Sequence, residues 1–103
     1  MKRYIRASAS GDWPNVIDRI EQSVVYDTGL AIEVTSKTGS PDSGGRVMFD
    51  VLDSDGVEDR CGIATRVGEP GAFVIFKGRQ SAKLASLDRA ISWLSEYIEA
   101  LTK

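Results

Sequence analysis

The spacing of apolar residues changes period twice along this chain, and that pattern constrains the fold more than any other feature. Over residues 12–25, Trp13, Val16, Ile17, Ile20 and Val24 recur at helical spacing with polar residues between them. From residue 30 the period falls to two, and over residues 81–101 it returns to alternating steps of three and four at Leu84, Leu87, Ile91, Leu94, Ile98 and Leu101. A chain written this way has a helix at each end and strands between them.

The turn chemistry divides the middle. Asp12 is placed to cap the first helix, Pro14 lies in its first turn, and the turn-forming Asp27-Thr28-Gly29 predicts that the helix stops before it. Leu30, Ile32 and Val34 alternate with Ala31, Glu33 and Thr35 as a half-buried strand. Residues 37–45 hold three glycines, two serines and Pro41, which predicts an exposed, mobile connection. A second strand follows at Val47, Phe49 and Val51, then Asp53-Ser54-Asp55-Gly56 as a tight turn, then a third strand around residues 61–67. After Glu69-Pro70-Gly71, residues 72–77 are apolar on both faces, as a strand near the sheet centre or covered on both sides would be.

The order α-β-β-β-β-α with hairpin-length links predicts an α+β fold. It is a four-stranded antiparallel meander with an N-terminal and a C-terminal helix packed on one face. The 103 residues are read as a single domain over 1–103, long enough to bury about 60–70% of the surface of the unfolded chain.

Composition narrows the function classes. There is no histidine, which removes the usual general base, the commonest transition-metal ligand and every histidine-containing triad. Cys61 is the only cysteine, so neither an intrachain disulfide nor a cysteine-based zinc site is expected, and without a histidine to ionise it Cys61 reads as an inert apolar residue. No glycine-rich phosphate loop is present and no spacing singles out a catalytic carboxylate pair, so neither catalysis nor a cofactor is expected. The basic start runs into Ala7-Ser8-Ala9-Ser10-Gly11-Asp12 instead of the apolar run a secretion signal needs. The longest apolar run, residues 72–76, is far short of a membrane span, which predicts a cytoplasmic protein without membrane contact.

Charge is unevenly spread. Residues 11–59 carry eleven acids against three bases, whereas residues 60–89 carry six bases against two acids. Asp53, Asp55, Glu58 and Asp59 surround the second turn, and an acidic hairpin of this kind docks basic surfaces through complementary potential; the plainer reading is a solvated hairpin tip. Asp53-x-Asp55-Gly56 matches part of a calcium loop, but aligning Gly56 with the sixth loop position puts Val51 first and Gly62 twelfth, where carboxylates belong.

The last helix carries a second stripe, Ala90, Trp93, Tyr97 and Ala100, so its apolar arc spans about 200°, wider than one packing face requires. Either the first helix packs there with Trp13 and brings both tryptophans into one core, or Trp93 and Tyr97 form a homodimer or partner interface.

Lys77-Gly78-Arg79-Gln80-Ser81-Ala82-Lys83 is read as joining the last strand to the last helix, where backbone amides and the helix dipole favour an anion. Here the chain resembles the double-stranded-RNA-binding domain, which follows its last strand with a glycine-containing basic turn and a helix opening with lysines. The resemblance is confined to residues 77–83. Gln80-Ser81 stand where that family has paired lysines, and four strands are expected here where it has three. It implies nucleic-acid contact through Lys77, Arg79 and Lys83, although the net charge of −2 makes attraction to nucleic acid no property of the whole molecule. Separately, Lys2, Arg3, Tyr4 and Arg6 form a second basic patch with an aromatic, which reads as a nucleic-acid-binding arm or, more plainly, as a first edge strand or loose terminus. The opening Met1-Lys2-Arg3-Tyr4-Ile5-Arg6-Ala7-Ser8 is also similar to the beginnings of small uncharacterised proteins of phages and mobile elements. That resemblance implies binding to, and interference with, other macromolecules. The leading expectation is a non-catalytic protein-binding module; the alternative is a nucleic-acid-binding accessory protein.

Overall fold

The computed structural model describes residues 12–81 and 83–101, without the side chains of residues 24–27. Helix α1 (Trp13–Thr28) starts where expected, with the Asp12 carboxylate accepting the Asn15 N–H at 2.9 Å. It runs through Thr28, beyond the predicted stop, and ends where Gly29 takes φ +77°, a left-handed conformation that costs glycine nothing.

Strands β1 (Ala31–Ser40), β2 (Gly44–Asp53), β3 (Gly56–Thr65), β4 (Phe73–Phe76) and β5 (Arg79–Gln80) form one antiparallel sheet in chain order. The fold is therefore α+β with an antiparallel meander, to which the two-residue β5 is appended. Helix α2 (Leu87–Ala100) closes the described chain.

Directly paired residues share a face, so the register sorts the sheet. Phe49, Cys61 and Phe76 form one cross-strand row and Val47, Ile63 and Val74 the next. These rows face both helices: Trp13, Val16, Ile17 and Ile20 of α1 and Ala90, Ile91, Leu94 and Ile98 of α2 lie in the same buried cluster. Met48, Gly62 and Ile75 form a row on the opposite face, where the Met48 thioether lies over Gly62. The Arg66 guanidinium sits 4.6 Å from the centre of the Phe73 ring on that face.

Further boundaries differ from the sequence reading, among them β3, which spans Gly56–Thr65 where residues around 61–67 were expected. The glycine-rich stretch 37–45 is paired strand at both ends, with only residues 41–43 turning. Gly39 and Gly45 face each other across β1 and β2, and a Cβ on Gly45 would lie 2.1 Å from the Thr38 carbonyl oxygen, so these glycines permit close pairing where composition suggested mobility. The Trp13 indole N–H donates to that carbonyl at 2.9 Å and ties the start of α1 to this end of the hairpin.

Helix α2 begins at Leu87, not near residue 81. Ser81 N–H donates to Val74 O at 2.8 Å, and Leu84 exchanges backbone bonds of 2.8 and 3.1 Å with Ala72, which holds this stretch beside the sheet. Ser86 then caps the helix, its hydroxyl accepting the Arg89 N–H at 3.1 Å. Leu84 fits the helical spacing but serves as a partly buried residue of an extended segment. Strand β4, apolar on both faces, is covered by helices on one side only among the described residues: Val74 is fully buried beneath them, whereas Phe73 and Ile75 point to the other face and are partly buried.

Candidate functional site

The acidic turn and the aromatic stripe, far apart in sequence, meet in space. The β2–β3 turn is built by Asp53, whose Oδ1 accepts the N–H groups of Asp55 at 2.7 Å and Gly56 at 3.1 Å. Just beyond it the register slips: Leu52 pairs with Val57 and Val51 with Asp59, so Glu58 bulges from β3. Because Val51 faces the helices, its partner Asp59 does too, and there the Tyr97 hydroxyl of α2 donates to the Asp59 carboxylate.

Tyr97 belongs to a three-ring cluster. Its ring stacks on Trp93 with centroids 5.5 Å apart and planes at 16°, and Phe76 of β4 lies tilted against both, at 4.8 Å from Trp93 and 5.2 Å from Tyr97. All three rings are partly buried, so the cluster is packed on its inner side and open on its outer side. Phe76, not α1 with Trp13, is thus the ring partner of Trp93 and Tyr97; Trp13 lies in the core between α1 and the β1–β2 hairpin. Ala90 is buried in the core and Ala100 is exposed, so the apolar arc that looked too wide is divided between core, ring cluster and solvent.

Burial and then the Asp59 hydrogen bond raise the Tyr97 phenol above its ordinary pKa, so the hydroxyl remains a donor at neutral pH. At the turn, the carboxyls of Glu58 and Asp53 perturb each other: the interaction with Glu58, then the Asp55 N–H, lowers the Asp53 carboxyl, and the interaction with Asp53 and its charge raises Glu58. Asp55 is exposed. The four acids therefore act differently: Asp53 shapes the turn, Glu58 bulges out of β3 and is exposed, Asp55 faces water and Asp59 anchors α2.

Cys61 is fully buried beside Phe49, and burial pushes its thiol up to about 12, which leaves it protonated and inert at neutral pH. Among the described residues, no group of three or more acidic or cysteine side chains converges to hold a metal ion. No described helix is long and apolar enough to cross a membrane.

The basic residues are arranged otherwise than the sequence implied. Lys77 and Gly78, with φ of 49° and 73°, form the two-residue turn between β4 and β5, and Arg79 pairs with Phe76 on the face that carries the ring cluster. Lys83 reaches Glu69 at 3.7 Å. These bases precede α2 by at least a turn of chain and do not lead into its N-terminus, so the helix amides and the lysines are not combined into one anion site. Lys2, Arg3, Tyr4 and Arg6 lie outside the described residues.

Sequence reasoning missed Phe76 as the third ring and Asp59 as the partner of Tyr97. The only signal for Phe76 was its place at the end of the apolar run 72–76, and a hydrogen bond between residues 38 positions apart leaves no local pattern. The chain has no significant match to any protein-family model, curated protein or solved structure.

Proposed function

We propose that the protein is a non-catalytic, cytoplasmic protein-binding module, of the kind phages and mobile elements use as accessory or inhibitor proteins. It acts through one composite surface made of the acidic β2–β3 hairpin and the aromatic side of α2. The observation that carries this reading is the bond from Tyr97 to Asp59, which joins two features that the sequence offered separately. Stacked, partly open rings supply contact area at low entropic cost, and the carboxylates beside them favour a basic partner and steer its approach. The same rings serve self-association if the partner is a second copy, which light scattering at increasing concentration detects.

The test is affinity capture from lysate with the tagged protein, with and without nuclease. A specific protein retained after nuclease treatment is the expected result. Retention that depends on nucleic acid would overturn this reading and favour the alternative.

That alternative, a nucleic-acid-binding accessory protein using Lys77, Arg79 and Lys83, has one observation in its favour. Lys77 holds φ 49°, where asparagine or glycine is usual and where another residue costs roughly 1–2 kcal/mol, so the turn places a lysine at its tip at a local cost. Against it stands the pairing of Lys83 with Glu69. Binding of this kind weakens steeply with salt, so a lack of binding to single- and double-stranded DNA and RNA at low salt disposes of it.

A further inference from the structure

Between the first turn of α1 and the β1–β2 hairpin lies a concavity of about 230 Å³ that shares no residue with the surface described above. Among the described residues its walls are Trp13, Pro14, Ile17, Val34 and Val47, and the one polar side chain in its lining is Lys37. The strand alternation set by Leu30, Ile32 and Val34 would point Ser36 toward the helices and Lys37 away. A bulge at Thr35, whose hydroxyl donates to Met48 O at 3.3 Å, shifts the register so that Lys37 pairs with Val47 and shares its helix-facing side. The irregularity thus exchanges a serine for a lysine at the rim of an apolar cavity.

Three further features fit a ligand. Val34 is 40% exposed although it belongs to the helix-facing row, so this apolar wall is left open. The Trp13 indole N–H is already spent on Thr38 O, which leaves the ring as a flat apolar wall. Lys37 makes no ion pair among the described residues and is the charged residue of the described lining, so the charge offered at the rim is the lysine ammonium. An apolar cavity of ~150 Å³ holds benzene, so this one has room for a body of about six to eight carbons.

We propose that this cavity binds a small amphipathic carboxylate, with an aliphatic or single-ring body against Trp13, Ile17, Val34 and Val47 and its carboxylate on the Lys37 ammonium. Apolar burial supplies the affinity and the charged pair the selection. A neutral ligand of equal length gains the walls without the ammonium, and an amine meets a like charge.

The test is a nuclear magnetic resonance titration of the full chain, following the Trp13 indole N–H and the amides of Val34 and Lys37. The probes are sodium hexanoate, 1-hexanol and hexylammonium chloride, and Trp93→Phe identifies which indole signal is Trp13. Hexanoate is expected to shift these signals saturably at millimolar concentration, with hexanol about tenfold weaker and hexylammonium weaker still. Lys37→Met, at an exposed position where folding is checked from the rest of the spectrum, should bring hexanoate down to the level of hexanol. The proposal is overturned by the absence of a saturable shift up to roughly 20 mM, by equal binding of hexanoate and hexanol, or by undiminished binding to Lys37→Met.

Discussion

Removing the Tyr97 hydroxyl while keeping its ring isolates the link between the acidic hairpin and α2. Tyr97→Phe preserves the contacts with Phe76 and Trp93 and deletes only the donor to Asp59. A hydrogen bond to a charged group contributes about 1.5–3 kcal/mol. Asp59 and Tyr97 are both partly exposed, so water replaces some of what is lost and the expected cost falls to about 1 kcal/mol. In a domain of this size that lowers the melting temperature by roughly 4–5 °C. Asp59→Ala removes the acceptor, and the double variant completes a cycle measured by urea unfolding at constant m-value. The account predicts a coupling energy of about 1 kcal/mol. Effects that add to within ~0.3 kcal/mol would mean that the bond carries no stability and that hairpin and helix are merely neighbours.

Three other outcomes follow from local geometry. Ser86→Ala deletes the cap that accepts the Arg89 N–H and should lower unfolding free energy by about 1 kcal/mol; an unchanged urea midpoint would show that α2 does not depend on it. Gly45→Ala places a methyl 2.1 Å from the Thr38 carbonyl oxygen, which only backbone movement relieves, so a loss of about 2–3 kcal/mol is expected and near-neutrality would refute the tight β1–β2 register. Because the phenol of Tyr97 is raised above 10.0, the unfolded chain loses that proton first; the stability it confers is complete below about pH 10 and declines above it. Urea unfolding at about pH 9 and about pH 11 should show a smaller alkaline loss in Tyr97→Phe than in the parent, and equal losses would contradict the assignment.

The sequence was most legible where one physical preference acted alone. Trp13, Val16, Ile17 and Ile20 had to lie on one face of a helix, and Val47, Phe49 and Val51 on one face of a strand; all are buried together. It was less legible where two preferences competed. Glycines 39, 44 and 45 suggest mobility by composition, yet their missing side chains are what close pairing of two backbones requires. Leu84 matches the helical stripe, but its backbone bonds to Ala72 win, and the cap at Ser86 fixes the start of α2. The bulge at Thr35 inverts the strand alternation within one residue, which no periodicity announces. Of the candidate site, the residue types were readable and their assembly was not. The acids and the aromatic stripe each stood out, but the contact of Tyr97 with Asp59 and the placing of Phe76 between strand and helix arise only when the sheet register and the seat of α2 are set together.

The most direct test of the central claim is the affinity of the captured partner for the parent protein and for the Asp53→Asn, Asp55→Asn, Glu58→Gln, Asp59→Asn combination. These changes keep hydrogen-bonding groups at the turn and at Tyr97 while removing the negative charge. If the hairpin and the rings of Trp93 and Tyr97 form one surface for a basic partner, affinity falls at least about tenfold and its dependence on salt flattens, with the fold retained. Undiminished capture by the neutral variant, with the same salt dependence, would contradict the account.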